Sequence, residues 1–337
     1  MYAFASDIYK HTVSVLVVIG PGAVACSLIT CKCKRGIIME LTVTINSATE
    51  ELINRLRTFY SHGYESNNRL LKKGYLEWLL NENPAGQGKV IMVSSDEEIL
   101  SSMLVIPLRL QTQNKIKEGY FITDVLSHPS HRDKNLFVKM IRFLVEKVKK
   151  DNGFIIGHPN RLAIPGWKRT KMNFQVSLKN IIYFPKPKSL LLVRKKKVHN
   201  ISELENIDKT LRNIASSQLE PKVLADSKFL LWRYMNNPCK KYRILTYYIK
   251  GKFIGLTVEF KTRNNISKIC HSDIIPGYES LVYTSSILPK IYVLPEGLVA
   301  KGGYELRDKR VVYFFTDYDE YDFSDRGDYL TLASSDI

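Results

Sequence analysis

Apolar residues recur along this chain with two periods, near 2 and near 3.6, and the changes between them mark out elements. Tyr120-Phe121-Ile122-Thr123-Asp124-Val125-Leu126 reads as a strand, and a polar turn runs from Ser127 to Asn135. From Leu136 the apolar positions Leu136, Phe137, Met140, Ile141, Leu144, Val145 and Val148 share one helical face. Lys139, Arg142, Glu146, Lys147 and Lys149 take the other face, and a second apolar strand follows at Phe154-Ile155-Ile156. Upstream, the pattern predicts a helix over Ser47–His62, with Ser47 and Glu50 at capping-box spacing. A second helix is expected near Leu71–Leu80, then strands at Val90–Val93 and Leu100–Arg109. Residues 176–193 supply further strand material, including Leu190–Val193, around a turn at Phe184-Pro185-Lys186-Pro187-Lys188.

After His199 the order begins again. Helices are expected over Ile201–Ser217 and Lys228–Tyr234, and a hairpin joins Arg243–Ile249 to Phe253–Phe260 through Lys250-Gly251. A strand at Ile266–Ile275, a helix near Tyr278–Pro289 and strands at Val311–Phe315 and Tyr329–Leu332 complete the pattern. The restart is also a repeat in sequence: Tyr75 to Pro84 aligns with Phe229 to Pro238, keeping Trp78/Trp232, Asn83/Asn237 and Pro84/Pro238 in register. Two related α/β (α+β) modules are therefore expected, over residues 39–193 and 194–337. Each would be a mixed, mostly antiparallel twisted sheet flanked by helices. The second has Pro276-Gly277-Tyr278 where the first has its polar turn, and reads as a degenerate copy.

Residues 1–38 fit neither module. Val13–Thr30 is an apolar run interrupted by Gly20-Pro21-Gly22, and its basic cluster Lys32, Lys34, Arg35 lies after it rather than before. Met39 opens an ordinary domain start. The stretch is expected to be an upstream extension outside the fold; the alternative is a membrane anchor through residues 13–30.

Composition adds a charge constraint. A formal net charge of +17 attracts polyanions without choosing among them. Part of it is concentrated in Lys186, Lys188, Arg194, Lys195, Lys196 and Lys197, and acidic residues dominate from Asp317 onward. The cysteines number 5, with no C-x-x-C pair, which predicts free thiols in a reducing, cytoplasmic compartment. No nearby set of four ligands closes a zinc site, so no metal is expected.

A polar turn feeding a helix N-terminus presents unpaired N–H groups where an anion can sit. The stretch resembles motif A of the GNAT acyltransferases, whose turn cradles the pyrophosphate of acyl-CoA. His128-Pro129-x-x-Arg132 precedes the helix, Asn135 stands at the first glycine position and Phe137 at the last. Asn160 follows the second strand, and Pro165-Gly166-Trp167 and Asn173-Phe174 come after it. Asn is the least costly replacement for glycine where φ is positive. The resemblance implies acetyl-CoA or another acyl-CoA as co-substrate. It would be held by Leu126, Ser127, Arg132, Asp133, Lys134, Asn135, Leu136, Phe137 and Asn160, with backbone N–H groups near Leu126 and Ser127 meeting the thioester and pantetheine.

Acyl transfer to an amine needs a base, because the amine itself attacks. Asp124, an acid within an apolar strand, is the first candidate; His158 and His128 follow. Each has a structural alternative. From Met39 onward the chain resembles two-module GNAT-like proteins of surface-polysaccharide pathways. That implies a nucleotide-linked amino sugar as acceptor, with Trp232, Arg233 and Tyr234 as substrate-side residues. Two other readings are aminoacyl transfer from tRNA on the same tandem fold, and a non-catalytic basic binding module. No aromatic–basic RNA motif stands out in favour of nucleic acid.

Overall fold

The computed structural model describes residues 23–32, 38–95, 98–111, 116–160, 163–170, 172, 174–217, 222–262, 264–295 and 301–316. In chain order its elements are β1 (Ala23–Lys32), β2 (Ile38–Ser47), α1 (Glu50–Ser61), α2 (Tyr75–Asn81), β3 (Lys89–Ser95), β4 (Glu98–Gln111) and β5 (Ile116–Ser127). A 3₁₀ turn (Pro129–Lys134) leads into α3 (Leu136–Lys150), β6 (Phe154–Gly157), α4 (Ile164–Lys168), β7 (Phe174–Tyr183), α5 (Pro187–Leu192) and β8 (Arg194–Lys197). Then come α6 (Ile201–Glu205), α7 (Asp208–Ser217), β9 (Lys222–Val223) and α8 (Ser227–Leu230), which continues as a π-helical turn over Leu231–Met235. The chain proceeds through β10 (Arg243–Ile249), β11 (Lys252–Lys261), β12 (Ser267–Ile274), α9 (Glu279–Thr284), β13 (Lys290–Pro295) and β14 (Tyr304–Thr316).

Among the described residues the strands join into one continuous sheet, in the order β1-β2-β3-β4-β5-β6-β14-β7-β13-β12-β11-β10-β8, with β9 beside β4. All pairings are antiparallel except β5 with β6 and β12 with β13. Each parallel pair is bridged by a crossover helix, α3 in one half and α9 in the other, as parallel pairing requires. The tandem α/β arrangement is therefore present. Helix α3 covers one face of the first half over Leu41, Val43, Val93, Val105, Ile122 and Ile155. The opposite face carries α1 and α2, and its core runs without a break into Phe229, Trp232, Ile244, Leu256 and Val258 of the second half.

The repeat explains this shared core. Trp78 and Trp232 stack with ring centroids 5.4 Å apart and planes inclined at 27°. The indole N–H of Trp78 donates to the carbonyl of Trp232 at 2.9 Å, and that of Trp232 donates to the carbonyl of Trp78 at 3.0 Å. The contact is self-complementary, as at an isologous dimer interface, but lies within one chain. The paired asparagines also act alike: Asn83 Oδ1 accepts from Ala85 N and Asn237 Oδ1 from Cys239 N, each at 3.0 Å. Each turns the chain at its proline after the helix ends.

Several expectations change. Residues 1–38 do not lie wholly outside the fold: β1 pairs with β2 from Ala23/Asn46 to Lys32/Ile38 and forms the sheet's edge. The rest of the expected extension, the strand at Tyr329–Leu332 and the acidic tail from Asp317 fall outside the described residues. Leu190–Val193 is not a strand; Pro187 at the first helical positions starts α5 instead. Thr49, not Ser47, caps α1, its hydroxyl accepting from Leu52 N at 3.2 Å. A boundary at 193/194 also fails to separate the sheet halves. β7 pairs with β13 and β14, and β14 lies between β6 and β7. Each half is thus completed by a strand from the other. Among the described residues no helix is long and apolar enough to cross a membrane.

The second half encloses an ion pair. Glu259 and Lys290 are both 1% exposed and meet at 2.7 Å. Tyr247, Thr257 and Ser267 donate hydroxyl hydrogen bonds to the same carboxylate at 2.8–2.9 Å. Burial acts to raise the Glu259 pKa, but Lys290 and these donors outweigh it and bring it down to about 2.

Two outcomes are expected. Trp232→Ala should destabilise the protein by about 3–5 kcal/mol in urea titration, and Trp232→Phe, which removes the indole hydrogen bond to the Trp78 carbonyl, by about 0.5–1.5 kcal/mol. A depressed carboxylate makes the unfolded chain the stronger proton binder, so the Glu259 contribution is complete above pH 4.5 and lost as pH falls towards about 2. Urea midpoints of Glu259→Gln should lose this acid dependence. The same variant should lose about 3–5 kcal/mol at neutral pH, because Lys290 is left buried and unpaired.

Candidate active site

β5 and β6 pair from Gly119/Phe154 to Ile122/Gly157 only. Beyond that point β5 continues through Ser127 while β6 ends, so the two strands part and their C-terminal ends open on the same edge of the sheet. Gly157 shapes the parting: a Cβ there would lie 1.7 Å from the Trp167 ring. Trp167, buried, also packs on Phe137 with centroids 5.4 Å apart. The first turn of α3 is thereby fixed against the end of β6.

A bulge in β5 re-aims the strand at the gap. Leu104 pairs with Thr123 but Ser102 with Leu126, so Asp124 and Val125 together oppose Met103. Asp124 has φ +49°, a left-handed conformation rare in a strand. Its Oδ1 accepts from Arg69 Nη2 at 3.0 Å, and its Oδ2 accepts from the Thr123 hydroxyl at 3.1 Å. Tyr60, Tyr64 and Tyr75 surround this pair. Burial chiefly, reinforced by the Asp124 charge, pushes Tyr64 up to about 12 and Tyr60 and Tyr75 higher still. All three phenols stay protonated at neutral pH, and the Tyr60 hydroxyl accepts from the Ser102 hydroxyl at 3.2 Å.

Past the bulge, His128 N donates to Leu100 O at 2.9 Å and Leu126 O accepts from the Ser101 hydroxyl at 3.0 Å. Alternation along the strand turns the backbone groups of Leu126 and His128 towards β4, and those of Val125 and Ser127 towards the gap. Of the two residues expected near the thioester and pantetheine, Ser127 turns its backbone towards the gap. Leu126 does not, since its side chain is buried and its backbone is used within the sheet.

The 3₁₀ turn ends at Asn135, with φ +53° and ψ +33°. The left-handed position expected of this residue is present, and Asn tolerates it better than a branched side chain would. Lys139 N to Asn135 O opens the hydrogen-bond ladder of α3, so the N–H groups of Leu136, Phe137 and Val138 precede it. Phe137, at the last glycine position, already belongs to the helix and points to Trp167. Arg132 and Asp133 are exposed beside this helix end, with Lys134 half-buried. Arg169 is an addition that sequence reasoning missed. Its Nη1 donates to Asn135 Oδ1 at 2.8 Å, and its carbonyl accepts from Arg142 at 3.0 Å. Its position two residues after Trp167, at the end of α4, was the available signal. Helix N–H groups, a left-handed turn residue and these cations together suit a pyrophosphate.

The other expected residues divide. His158 and Asn160 follow β6 on the same edge of the sheet; Asn160 Oδ1 accepts from Ala163 N at 2.9 Å just before α4. His128 caps the 3₁₀ turn through Nδ1 and lines an open pocket of about 250 Å³ with Arg55, Thr58, Phe59, His62, Glu98 and Ile99. Trp232, Arg233 and Tyr234 do not form an accessible substrate surface. They are 4%, 0% and 2% exposed, because the π-helical turn packs them into the core between the halves.

Residues 44–170 match the family model of the acetyltransferase (GNAT) domain. That span runs from β2 through α4 and contains every element of the gap, so the gap falls within the stretch that matches a GNAT acetyltransferase domain, a fold that uses acyl-CoA as co-substrate. No curated protein matches the sequence. Among solved structures, the chain is similar to a conserved protein of unknown function from Enterococcus faecalis V583, described as a probable N-acyltransferase. That match has 14% identity and TM-score 0.58, over 81% of this chain and 72% of the other. GCN5-related N-acetyltransferases from Anabaena variabilis (12% identity, TM-score 0.56, 81% and 72% covered) and Kribbella flavida (9%, 0.56, 81% and 70%) are also similar. At these identities the structures speak for the fold, GNAT-like over most of the chain.

The turn residue gives a direct test. Asn135→Val should weaken CoA binding by about tenfold or more in calorimetry, since a β-branched residue resists positive φ at a cost of about 1–3 kcal/mol. Asn135→Gly should bind as the wild type does.

Proposed function

We propose that this protein transfers an acyl group from acyl-CoA to a primary amine, and that the amine is carried by a nucleotide-linked amino sugar. The observation that carries the first part is the parting of β5 from β6 beside the N-terminus of α3, with backbone donors turned into the gap. In this reading Arg132, Lys134, Arg169 and the first N–H groups of α3 hold the pyrophosphate. The N–H groups of Val125 and Ser127 face the pantetheine and the thioester oxygen. The amine nitrogen attacks the thioester carbon, its proton passes to a base directly or through water, and the C–S bond breaks to release CoA thiolate.

Asp124 is the proposed base. The bulge puts its carboxylate on the α1–α2 side of β5, and Arg69 fixes its orientation. Tyr64, half-buried beside Asp124, keeps a neutral phenol at this edge of the site. The amino-sugar part rests on the family resemblance and on charge: Arg69 and Lys72 place positive potential beside Cys239 of the second half, where a phosphate-bearing acceptor would be attracted. The second half would then contribute through this seam rather than through Trp232, Arg233 and Tyr234.

The assay is thiol release from acetyl-CoA with a panel of nucleotide amino sugars and simple amines. Asp124→Asn should leave CoA affinity intact and lower kcat by about 10²–10⁴. Full turnover in that variant together with loss in His158→Ala would move the base to the histidine. Release with simple amines but with no nucleotide amino sugar would reject the acceptor, and release with neither would reject acyl transfer to amines.

A further inference from the structure

Far from the gap, at the end of the second half, lies a surface that the acyltransferase reading does not use. Helix α5 carries three consecutive leucines. Leu191 is 87% exposed, and Leu190 and Leu192 are exposed beside it. Helix α9 packs against α5: Lys186 N donates to Thr284 O at 3.0 Å, and the Ser189 and Thr284 hydroxyls meet at 2.7 Å. Ile287, in the loop after α9, is 82% exposed. Phe184 and Tyr304, also exposed, meet edge to face at 5.9 Å beside Lys186. Scattered single apolar residues need no explanation, but this group gathers aliphatic tips and aromatic rings around one helix junction.

Its surroundings are cationic. Lys186 and Lys188 flank the start of α5, and the wholly exposed strand β8 (Arg194–Lys197) follows directly. Lys195 Nζ donates to Ser285 O at 2.7 Å, which ties β8 to the end of α9. Strand alternation puts Lys197 on the same face as Lys195. Among the described residues Glu279, at the start of α9, is an acid on this side, and its carboxylate accepts from Gly277 N at 2.8 Å. Lysines on an edge strand guard against unwanted strand pairing. That role does not account for Leu191 and Ile287, which lie on other elements.

We propose that this face docks on an anionic lipid bilayer. Leu190, Leu191, Leu192 and Ile287 would enter the acyl boundary, Phe184 and Tyr304 would lie at headgroup level, and Lys186, Lys188 and Lys197 would meet the lipid phosphates. Aliphatic tips ringed by cations match an interfacial anchor. A single-stranded nucleic acid would call instead for stacking platforms along a basic groove.

The test is co-sedimentation of the full chain with phosphatidylcholine vesicles and with vesicles containing about one-third phosphatidylglycerol. The wild type should pellet with the anionic vesicles, stay in solution with the neutral ones, and be released by about 1 M salt. Leu191→Ser/Ile287→Ser keeps every charge and alters only exposed side chains, so its melting temperature should be unchanged. Its binding should fall by about tenfold or more. Lys188→Gln/Lys197→Gln should weaken binding to anionic vesicles at low salt. The proposal is overturned if the wild type ignores anionic vesicles. It is equally overturned if the serine variant pellets like the wild type, which would assign the binding to general basicity or to another segment such as residues 13–30.

Discussion

The reciprocal contact of Trp78 and Trp232 is the constraint on which the arrangement of the halves depends. Each indole is buried, and a buried N–H without an acceptor is costly. Each finds its acceptor in the backbone of the other's helix, so each indole N–H is satisfied by the other module. The stacked rings then lie in a core running from α1 and α2 into β10, β11 and β12. The exchange of β7 and β14 acts in the same direction. With each half of the sheet completed by a strand from the other, the modules cannot separate without breaking sheet hydrogen bonds.

From this frame follows the form of the gap. β5 is held from behind by β4 along most of its length, and β6 is held by β14. Each strand is therefore paired on its far side when the two part, and the unpaired backbone is confined to the short stretch facing the opening. Gly157 lets Trp167 reach the β6 backbone, and Trp167 in turn seats Phe137 and the start of α3. The phosphate-side helix end, the bulge at Asp124 and the end of β6 are thus parts of one packed assembly, as a site needs if its donors are to be preorganised.

The second half keeps the strand–helix–strand crossover without the anion-binding turn. Pro276-Gly277-Tyr278 leads into a short α9, and the core of this half holds the buried Glu259–Lys290 pair beside Tyr247 and the tyrosines around Tyr283. This half supplies structure, shared core and a seam towards Asp124 and Arg69, and its outer end bears the apolar and basic face.

Much of the first module was legible in the sequence, because its signals are local. The period change at Leu126–Leu136, the Asn at a positive-φ position and the repeat around Trp78 and Trp232 each reside within a few residues, where backbone preference and side-chain spacing act directly. Asp124 stood out as an acid in an apolar strand for the same reason. The tertiary structure alone decided the rest. Nothing near Trp232 in sequence announces that Trp78 will cover it, so a conspicuous aromatic–basic triplet read as a substrate surface is core instead. The insertion of β14 between β6 and β7, the edge strand β1, the Arg69 partner of Asp124 and the approach of Arg169 to Asn135 all join segments distant in the chain. Such pairings are settled by the sum of burial and hydrogen bonding over the whole sheet, a quantity that no local pattern contains.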